Sequence, residues 1–156
     1  MKKIDTYITE RLKINKDSSI KYNYHPKDEY ELSSLIRKLI TKERGLDADL
    51  NDIDVSKITD MSHIFSGLNI HNIDISGWNV SNVTNMDFMF RHCINFNSDL
   101  SNWNVSNVTK MRCMFYNCPK FNSDLSRWDV SNVEDMGAMF LGCDSLKKIP
   151  DWYKDE

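Results

Sequence analysis

The sequence predicts an α/β solenoid, an array in which each coil of the chain contributes one short strand and one short helix. Two observations predict it. Side chains of the same type recur every 25 residues, and within each repeat the spacing of apolar residues changes from that of a strand to that of a helix. One unit of this size cannot bury its apolar side alone, so about four units are expected to stack around a continuous core.

The 25-residue period is visible in columns of tryptophan, valine, methionine, phenylalanine and cysteine. Its members are Trp78, Trp103 and Trp128; Val80, Val105 and Val130; Val83, Val108 and Val133; Met86, Met111 and Met136; Met89, Met114 and Met139; Phe90, Phe115 and Phe140; and Cys93, Cys118 and Cys143. An earlier copy keeps this register, with Val55, Met61 and Phe65 unchanged and with four substitutions, Ile53, Ile58, Ile64 and Leu68. The sequence therefore predicts four repeats, at residues 49–73, 74–98, 99–123 and 124–148.

Each repeat has two parts. The first has the L-x-x-L-x-L-x-x-N/C spacing of a leucine-rich repeat, with a short strand centred on Trp103 to Val105 in the third copy. The second part places apolar side chains at i, i+3, i+4 and i+7, which predicts a helix of about two turns. In the third copy these positions are Met111, Met114, Phe115 and Cys118. The sequence thus predicts a leucine-rich-repeat-like array of strand-plus-helix coils.

Atypical segments at both ends are expected to cover the exposed core of the array. Residues 1–48 are predicted to form an N-terminal helical cap, with a first helix from Lys2 to Leu12 and a second from about Asp28 to Arg44. Gly45 fits the C-terminal cap of the second helix. Residues 149–156 are predicted to be the C-terminal cap, in which Trp152 folds over the last coil.

The repeated blocks resemble a known family. W-N-V-S-N-V-T-N-M and W-N-V-S-N-V-T-K-M, each followed by M-F-x-x-C, are similar to the core motif of the bacterial BspA-like surface-protein repeats. That family includes the 25-residue form common in mycoplasma lipoproteins. The resemblance covers about residues 49–148 and implies a leucine-rich-repeat fold, while its members are mostly described as adhesins or uncharacterised proteins. Small unexported proteins of gut bacteria and their phages are similar in a less specific way.

Charge and hydropathy restrict the class of partner. Residues 1–48 hold 11 Lys/Arg against 8 Asp/Glu, whereas residues 49–156 hold 9 against 15. The acidic repeats disfavour nucleic acid as a partner.

The longest apolar runs are shorter than the ~20 residues of a membrane helix, and no apolar segment follows the basic pair at the start. A cytoplasmic location is expected if Met1 is the native start, and the cell surface if the native start lies upstream.

The sequence predicts no catalytic residue, no metal site and no cofactor. The cysteine columns contain no C-x-x-C pair and do not recur together with histidine, so they are predicted to be buried thiols in the core. Asp47, Asp49 and Asn51 imitate the start of a calcium loop, but Asp52 replaces its glycine and Ile58 its final glutamate. The methionine and phenylalanine columns are interpreted as core side chains rather than as a ligand groove.

A non-enzymatic protein-protein interaction module of unknown oligomeric state is the function favoured by these observations, and the partner is expected to be another protein. The alternative is an exported adhesin or glycan-binding surface protein that uses the tryptophan and asparagine columns against sugars. Asn82, Asn107 and Asn132 form one such column, and their predicted role is structural, as an amide ladder between coils.

The partner is predicted to bind two outward columns of the strand ladder, because residues between apolar strand positions point to solvent. The columns are Asp52, Gly77, Asn102 and Arg127, and beside them Asp54, Asn79, Asn104 and Asp129. The predicted binding residues are Asp52, Asp54, Asn79, Asn102, Asn104, Arg127 and Asp129. If these columns do not bind, the other side of each coil, around Arg91 and Tyr116, is the next surface to test.

Overall fold

A computed structural model describes residues 21–154 of the chain. Its one α-helix, α1, spans Glu29–Lys38, and a π-helix continues it over Leu39–Arg44. The Asp28 side chain caps α1 by accepting the Glu31 N–H at 2.9 Å, and Gly45 ends the π-helix with a φ of 82°. The second predicted helix is therefore confirmed in position, whereas the first, Lys2 to Leu12, lies outside the described residues.

The predicted α/β solenoid is wrong. Within residues 21–154 no repeat contains a helix, and β-structure is limited to isolated parallel bridges without a sheet. These bridges join Tyr24 to Ile53, Asp49 to Asp74, Asp60 to Asn85, Asn85 to Lys110, and Lys110 to Asp135. The described residues consequently lack the strand ladder and the helix row of a leucine-rich-repeat array. They form a stack of coils in which turns alternate with segments of no regular structure.

The segments predicted to be helical form a ribbon of consecutive turns, which we call the turn ribbon. It comprises residues 60–67, 85–92, 110–117 and 135–142 of successive coils. Alternate N–H groups donate to the next coil over 2.7–3.1 Å, as from Phe90 to Met114, while intervening ones donate three residues back, as from Arg91 to Phe88. Main-chain groups are thereby paired without the bonds four residues back that define an α-helix.

Left-handed backbone conformations bend the turn ribbon. His63, Phe88, Cys113 and Ala138 have φ between 51° and 58°. This conformation costs roughly 1–2 kcal/mol for a residue with a side chain. The bonds to both neighbouring coils offset that cost, and a helix of about eight residues is itself marginal. The i, i+3, i+4, i+7 apolar pattern survives because it also describes inward positions in the ribbon and directly after it: Met111, Met114 and Phe115 of the ribbon and the following Cys118 are fully buried.

The segments predicted to be strands have no regular structure and lie between turns. The Trp103 N–H donates to the Leu100 carbonyl at 3.1 Å and the Val108 N–H to the Val105 carbonyl at 2.9 Å. Between them the Asn104 side chain accepts the Ser106 N–H. Polar side chains that bind the main chain two residues ahead favour turns over strands, which is the physical reason for the difference.

A continuous core runs through the stack. The rings of Phe65, Phe90, Phe115 and Phe140 lie parallel at centroid distances of 5.2, 5.5 and 5.8 Å. Buried tryptophans form a second column, whose indole N–H groups donate to main-chain carbonyls of the preceding coil at 2.9–3.1 Å. Trp152 continues this column by stacking on Trp128 at 6.3 Å, which agrees with its expected place over the last coil.

An asparagine ladder links the coils at the surface, which confirms the structural interpretation of that column. The side-chain amides of Asn82, Asn107 and Asn132 each donate at 2.7 Å to a serine carbonyl of the preceding coil. These amides act as donors, whereas Asn104, three residues before Asn107, acts as an acceptor. The two asparagines are therefore expected to differ in their tolerance of aspartate.

Replacing Asn107 by aspartate should destabilise the chain by about 0.5–1.5 kcal/mol, because the bond to the Ser81 carbonyl is lost and a carboxylate would face that carbonyl without a proton to donate. Asn104→Asp should change the free energy of unfolding by no more than about 0.5 kcal/mol. Its carboxylate would still accept the Ser106 bonds, as Asp54 and Asp129 accept equivalent bonds in the first and last coils. Urea denaturation of both variants measures the difference, and equal destabilisation would contradict the donor and acceptor roles.

Candidate functional site

Five of the seven predicted binding residues make intramolecular hydrogen bonds. Four of them belong to one column, in which each side-chain oxygen accepts the N–H of the serine two residues ahead at 3.1–3.2 Å: Asp54, Asn79, Asn104 and Asp129. Hydrogen bonds from Ser56 and Ser131 lower the pKa values of the Asp54 and Asp129 carboxyls. The column fixes turns in every coil, so its polarity has a structural explanation.

Asp52 attaches the N-terminal cap to the first coil. Its carboxylate accepts two bonds from the Arg44 guanidinium, at 2.7 and 2.8 Å, and a third from the Asn23 amide at 2.8 Å. The hydrogen bond from Arg44 lowers the pKa of the Asp52 carboxyl. About a quarter or less of each charged side chain is exposed, so the pair is only partly screened by solvent.

Asp52→Asn is expected to reduce stability by about 1–3 kcal/mol near neutral pH, the range for hydrogen bonds to charged groups. Because the folded-state pKa of Asp52 is lowered, its contribution is present above the unfolded pKa and is lost as the pH falls through the folded value. The difference between wild type and variant should therefore shrink below about pH 4.

Asp151→Asn is the matched control for Asp52→Asn. Asp151 bonds Lys148 at 3.1 Å, but both side chains are mostly exposed, so the substitution should cost less than about 0.5 kcal/mol at any pH. Denaturant unfolding at several pH values compares the two variants. A difference between wild type and Asp52→Asn that does not change with pH would contradict the role of this ion pair.

Asn102 and Arg127 are the predicted binding residues that remain free of side-chain hydrogen bonds in the described chain. Both line an open polar groove of about 460 Å³ between the third and fourth coils, together with Asp99 and Asp124. Hydrogen bonds from the Ser101 and Ser126 N–H groups lower the pKa values of those two carboxyls. The groove presents amides, hydroxyls, carboxylates and one guanidinium.

The tryptophan column cannot contact a ligand from outside. Trp78, Trp103 and Trp128 are buried, with no more than 5% of each residue exposed. Their indole N–H groups are also bonded to the main chain. Sugar binding by this column, as the adhesin alternative supposed, would require the core to open.

The outward side of the turn ribbon has a different character. We call this surface the ribbon face and define it by His63, Phe88, Arg91, Tyr116 and Leu141. His63 is exposed, Leu141 is 61% exposed, and the other three are half-buried. None of these side chains has a counterpart of the same type in the next coil, whereas the asparagine and serine columns repeat almost unchanged.

Contacts with aromatic rings hold the side chains of the ribbon face in place relative to one another. The His63 and Phe88 rings stack with centroids 4.8 Å apart. The Arg91 guanidinium carbon lies 5.8 Å from the ring centroids of both Phe88 and Tyr116, within the range of a cation–π interaction. Leu141 occupies the position of Tyr116 in the next coil. These contacts place aromatic, cationic and aliphatic side chains side by side across the stack.

Sequence reasoning identified part of this surface. The sequence predicts Arg91 and Tyr116 as the alternative surface, but it does not predict the other three members, His63, Phe88 and Leu141. The available signal was the change of side-chain type along the columns His63, Phe88, Cys113 and Ala138, and Ser66, Arg91, Tyr116 and Leu141. This signal does not select a binding surface by itself, because the predicted helix places these residues on the solvated side of an array whose strands are expected to bind.

The cysteine columns are core thiols, as the sequence predicted. Cys93, Cys118 and Cys143 are buried, and each Sγ–H donates to a phenylalanine carbonyl of the preceding coil at 2.9–3.1 Å. Burial raises the pKa of Cys93 to about 12 and that of Cys143 to about 11. Cys113, with a left-handed backbone, is half-exposed. No group of three or more His, Cys, Asp or Glu among residues 21–154 is placed to hold a metal ion.

Comparison with known proteins gives a family. The family model described as Mycoplasma protein of unknown function, DUF285, matches residues 34–152, which is more than half of the chain. The matched range begins inside α1 and ends at Trp152, so it includes every coil of the stack. No curated protein and no solved structure matches the chain. No helix in the described residues has the length and apolar composition needed to cross a membrane.

Proposed function

We propose, on the premise that the chain belongs to the family described as Mycoplasma protein of unknown function, DUF285, that it is a non-enzymatic module that binds another protein. We also propose that its repeat is of the BspA-like type. The binding surface in this proposal is the ribbon face. The predicted columns contribute mainly to folding.

The single observation that supports this assignment is the composition of the ribbon face. Tyrosine and arginine are the residues most enriched among those that dominate binding energy at protein interfaces, together with tryptophan. Here Tyr116 and Arg91 are in ring contact with each other, and Leu141 is one of the few large apolar side chains exposed in the described chain. Packing in the core does not explain why a leucine stands at this position.

A second candidate function rests on the polar groove around Asn102 and Arg127. Its amides, hydroxyls and carboxylates are groups that hydrogen-bond sugar hydroxyls, so a glycan is the ligand that this groove would suit. The groove has no exposed aromatic ring among its lining residues. We therefore rank it behind the ribbon face, and the same experiment compares the two.

The experiment is affinity purification with the full chain as bait, from the cells in which it is naturally made, followed by quantitative mass spectrometry. One double variant, Tyr116→Ala with Leu141→Ser, changes the ribbon face. Its control, Asn102→Ala with Arg127→Ala, changes the groove. Both sets of side chains lie at least partly at the surface, so both variants should keep the wild-type melting temperature within a few degrees.

The proposal expects a partner that the wild type and the groove variant retain and the ribbon variant loses. Loss of the partner with the groove variant alone would favour binding at the groove. The partner would then contact the column of Asn102 and Arg127, either directly or through a glycan that the captured protein carries. Absence of any protein enriched over an unrelated bait would contradict the function itself.

A further inference from the structure

Two arginines among residues 21–154 are held against aromatic rings. Arg44 lies over the Tyr24 ring, with its guanidinium carbon 5.5 Å from the ring centroid. Arg91 lies between Phe88 and Tyr116, at 5.8 Å from each centroid. A guanidinium stacked in this way still has N–H groups at its edge, and their planar arrangement matches a carboxylate. The two sites can therefore be compared directly.

The Arg44 site contains its anion. Asp52 accepts two guanidinium bonds at 2.7 and 2.8 Å, and the Asp49 carbonyl accepts a further one at 2.7 Å. The stacked ring and the bidentate carboxylate occur together at this site. An arginine that is stacked on an aromatic ring in this chain can therefore still donate hydrogen bonds from the edge of its guanidinium group to a carboxylate.

The Arg91 site contains the rings without an anion. In the described chain the Arg91 guanidinium makes no hydrogen bond and no ion pair, although the residue is half-buried. Its main chain is fixed, because its N–H donates to the Phe88 carbonyl at 3.1 Å and its carbonyl accepts the Gly67 N–H at 2.8 Å. Ring contacts on two sides also restrict the side chain. The donors are thus held in place before any ligand arrives, which lowers the entropic cost of binding.

The charge of the ribbon face itself favours an acidic ligand. The four segments of the turn ribbon contain three cations, Arg91, Lys110 and Arg112, and three carboxylates, but of the side chains that define the ribbon face Arg91 is the one Lys, Arg, Asp or Glu. The Asp87 carboxylate in the same segment accepts the Arg112 N–H at 2.8 Å and makes no ion pair with Arg91. A cation without an ion-pair partner on this face is complementary to a negatively charged group of a partner.

We infer that the ribbon face binds an acidic segment of a partner protein, and that one carboxylate of this segment pairs with the Arg91 guanidinium between Phe88 and Tyr116. This inference rests on the proposed function and specifies the chemistry of the partner. Tyr116 and Leu141 supply apolar area beside the ion pair, so the segment combines acidic and apolar residues.

The first test is a nuclear magnetic resonance titration of the isotope-labelled full chain with N-acetylglutamate α-amide, whose only carboxylate is that of the side chain, and with N-acetylglutamine α-amide as the uncharged control. The Arg91 Nε–H resonance should shift in a saturable way with the glutamate probe. Arg44, already paired with Asp52, should not shift, and Arg127, exposed without a ring, should shift less and without saturation. Equal shifts of Arg91 and Arg127, or equal effects of the two probes, would overturn the inference.

The second test uses a peptide of four Glu–Leu repeats and its Gln–Leu counterpart, with affinity measured by fluorescence anisotropy. Arg91→Gln should weaken binding of the acidic peptide by at least about tenfold, the scale expected for a charge-assisted bidentate contact, and Arg127→Gln by less than about twofold. Both substitutions remove one positive charge, so a purely long-range effect would weaken binding equally and overturn the inference.

The two proposals fail in different ways. If the acidic peptide does not bind while the Tyr116 and Leu141 double variant still loses a cellular partner, the acidic chemistry is wrong and the binding function stands. If the peptide binds through Arg91 while no cellular partner depends on the ribbon face, the Arg91 site is supported and the proposed function is contradicted.

Discussion

Replacing Met111 by aspartate is expected to abolish cooperative unfolding of the chain under native conditions. Met111 is fully buried in the third coil, and its N–H donates to the Asp135 carbonyl of the fourth. An unpaired carboxylate in a packed core costs several kcal/mol, against a total stability of about 5–15 kcal/mol. Since each coil packs only on its neighbours, the damage in the third coil should separate the fourth from the first two. Thermal unfolding followed by tryptophan fluorescence measures this effect.

Asn104→Asp is the control for Met111→Asp, because it introduces the same residue into the same coil at a solvent-exposed position. Asn104 already accepts bonds from the Ser106 N–H and hydroxyl groups, and a carboxylate can accept both. The control should therefore keep its cooperative transition. A Met111→Asp protein with the melting curve of wild type would show that the core described here is not the core of the protein.

Phe115→Ala is expected to destabilise the chain by about 3–5 kcal/mol, the usual cost of removing a buried phenylalanine. The Phe115 ring is fully buried and stacks on Phe90 at 5.5 Å, on Phe121 at 4.0 Å and on Phe140 at 5.8 Å. Its removal interrupts the phenylalanine column between the second and fourth coils. Urea denaturation gives the loss as a change of midpoint.

Phe88→Ala is the matched control for Phe115→Ala. Phe88 is half-buried on the ribbon face, and alanine occurs naturally in its column as Ala138, with a φ of 54°. The substitution removes the contacts with His63 and Arg91, so a cost of no more than about 1 kcal/mol is expected. Equal losses for the two phenylalanines would mean that the ribbon does not separate an inward from an outward side.

The sequence allowed the core and the repeat register to be predicted, because burial depends on which side chains are apolar and on their spacing. Met111, Met114, Phe115 and Cys118 were expected inside and are fully buried. The asparagine ladder through Asn107 could also be predicted, since an amide that recurs in every coil can bond the coil before it. None of these predictions depends on the type of secondary structure.

The secondary structure could not be predicted from the same spacing. Positions i, i+3, i+4 and i+7 face one way in a helix, and they also face one way in the turn ribbon, where residues such as Phe88 and Cys113 adopt left-handed conformations. The column of Phe88 and Cys113 contains no glycine, although Gly67 and Gly142 occur in the second left-handed column of the ribbon, with His92 and Asn117. The strand prediction failed for a different reason, because the spacing of apolar residues does not reveal that the Asn104 side chain accepts the N–H of the serine two residues ahead and so favours a turn.

The candidate site could be predicted only in part from the sequence. Asp52 and Asn104 looked free because each lies between apolar residues, but their hydrogen-bond partners come from the cap and from the turn itself. The contact of Arg91 with both Phe88 and Tyr116 joins two coils, so it depends on how the ribbons stack. That geometry follows from the turns, which the apolar pattern does not specify.

The most direct measurement of the stack of turns is the set of scalar couplings across hydrogen bonds in the labelled protein. The structure requires a coupling between the Phe90 nitrogen and the carbonyl carbon of Met114 in the next coil, across a bond of 2.9 Å. Equivalent couplings should join Met86 to Lys110 and Phe115 to Met139. A coupling from the Phe90 nitrogen to the carbonyl carbon of Met86, four residues back, would instead show a helix and contradict the turn ribbon and the ribbon face built on it.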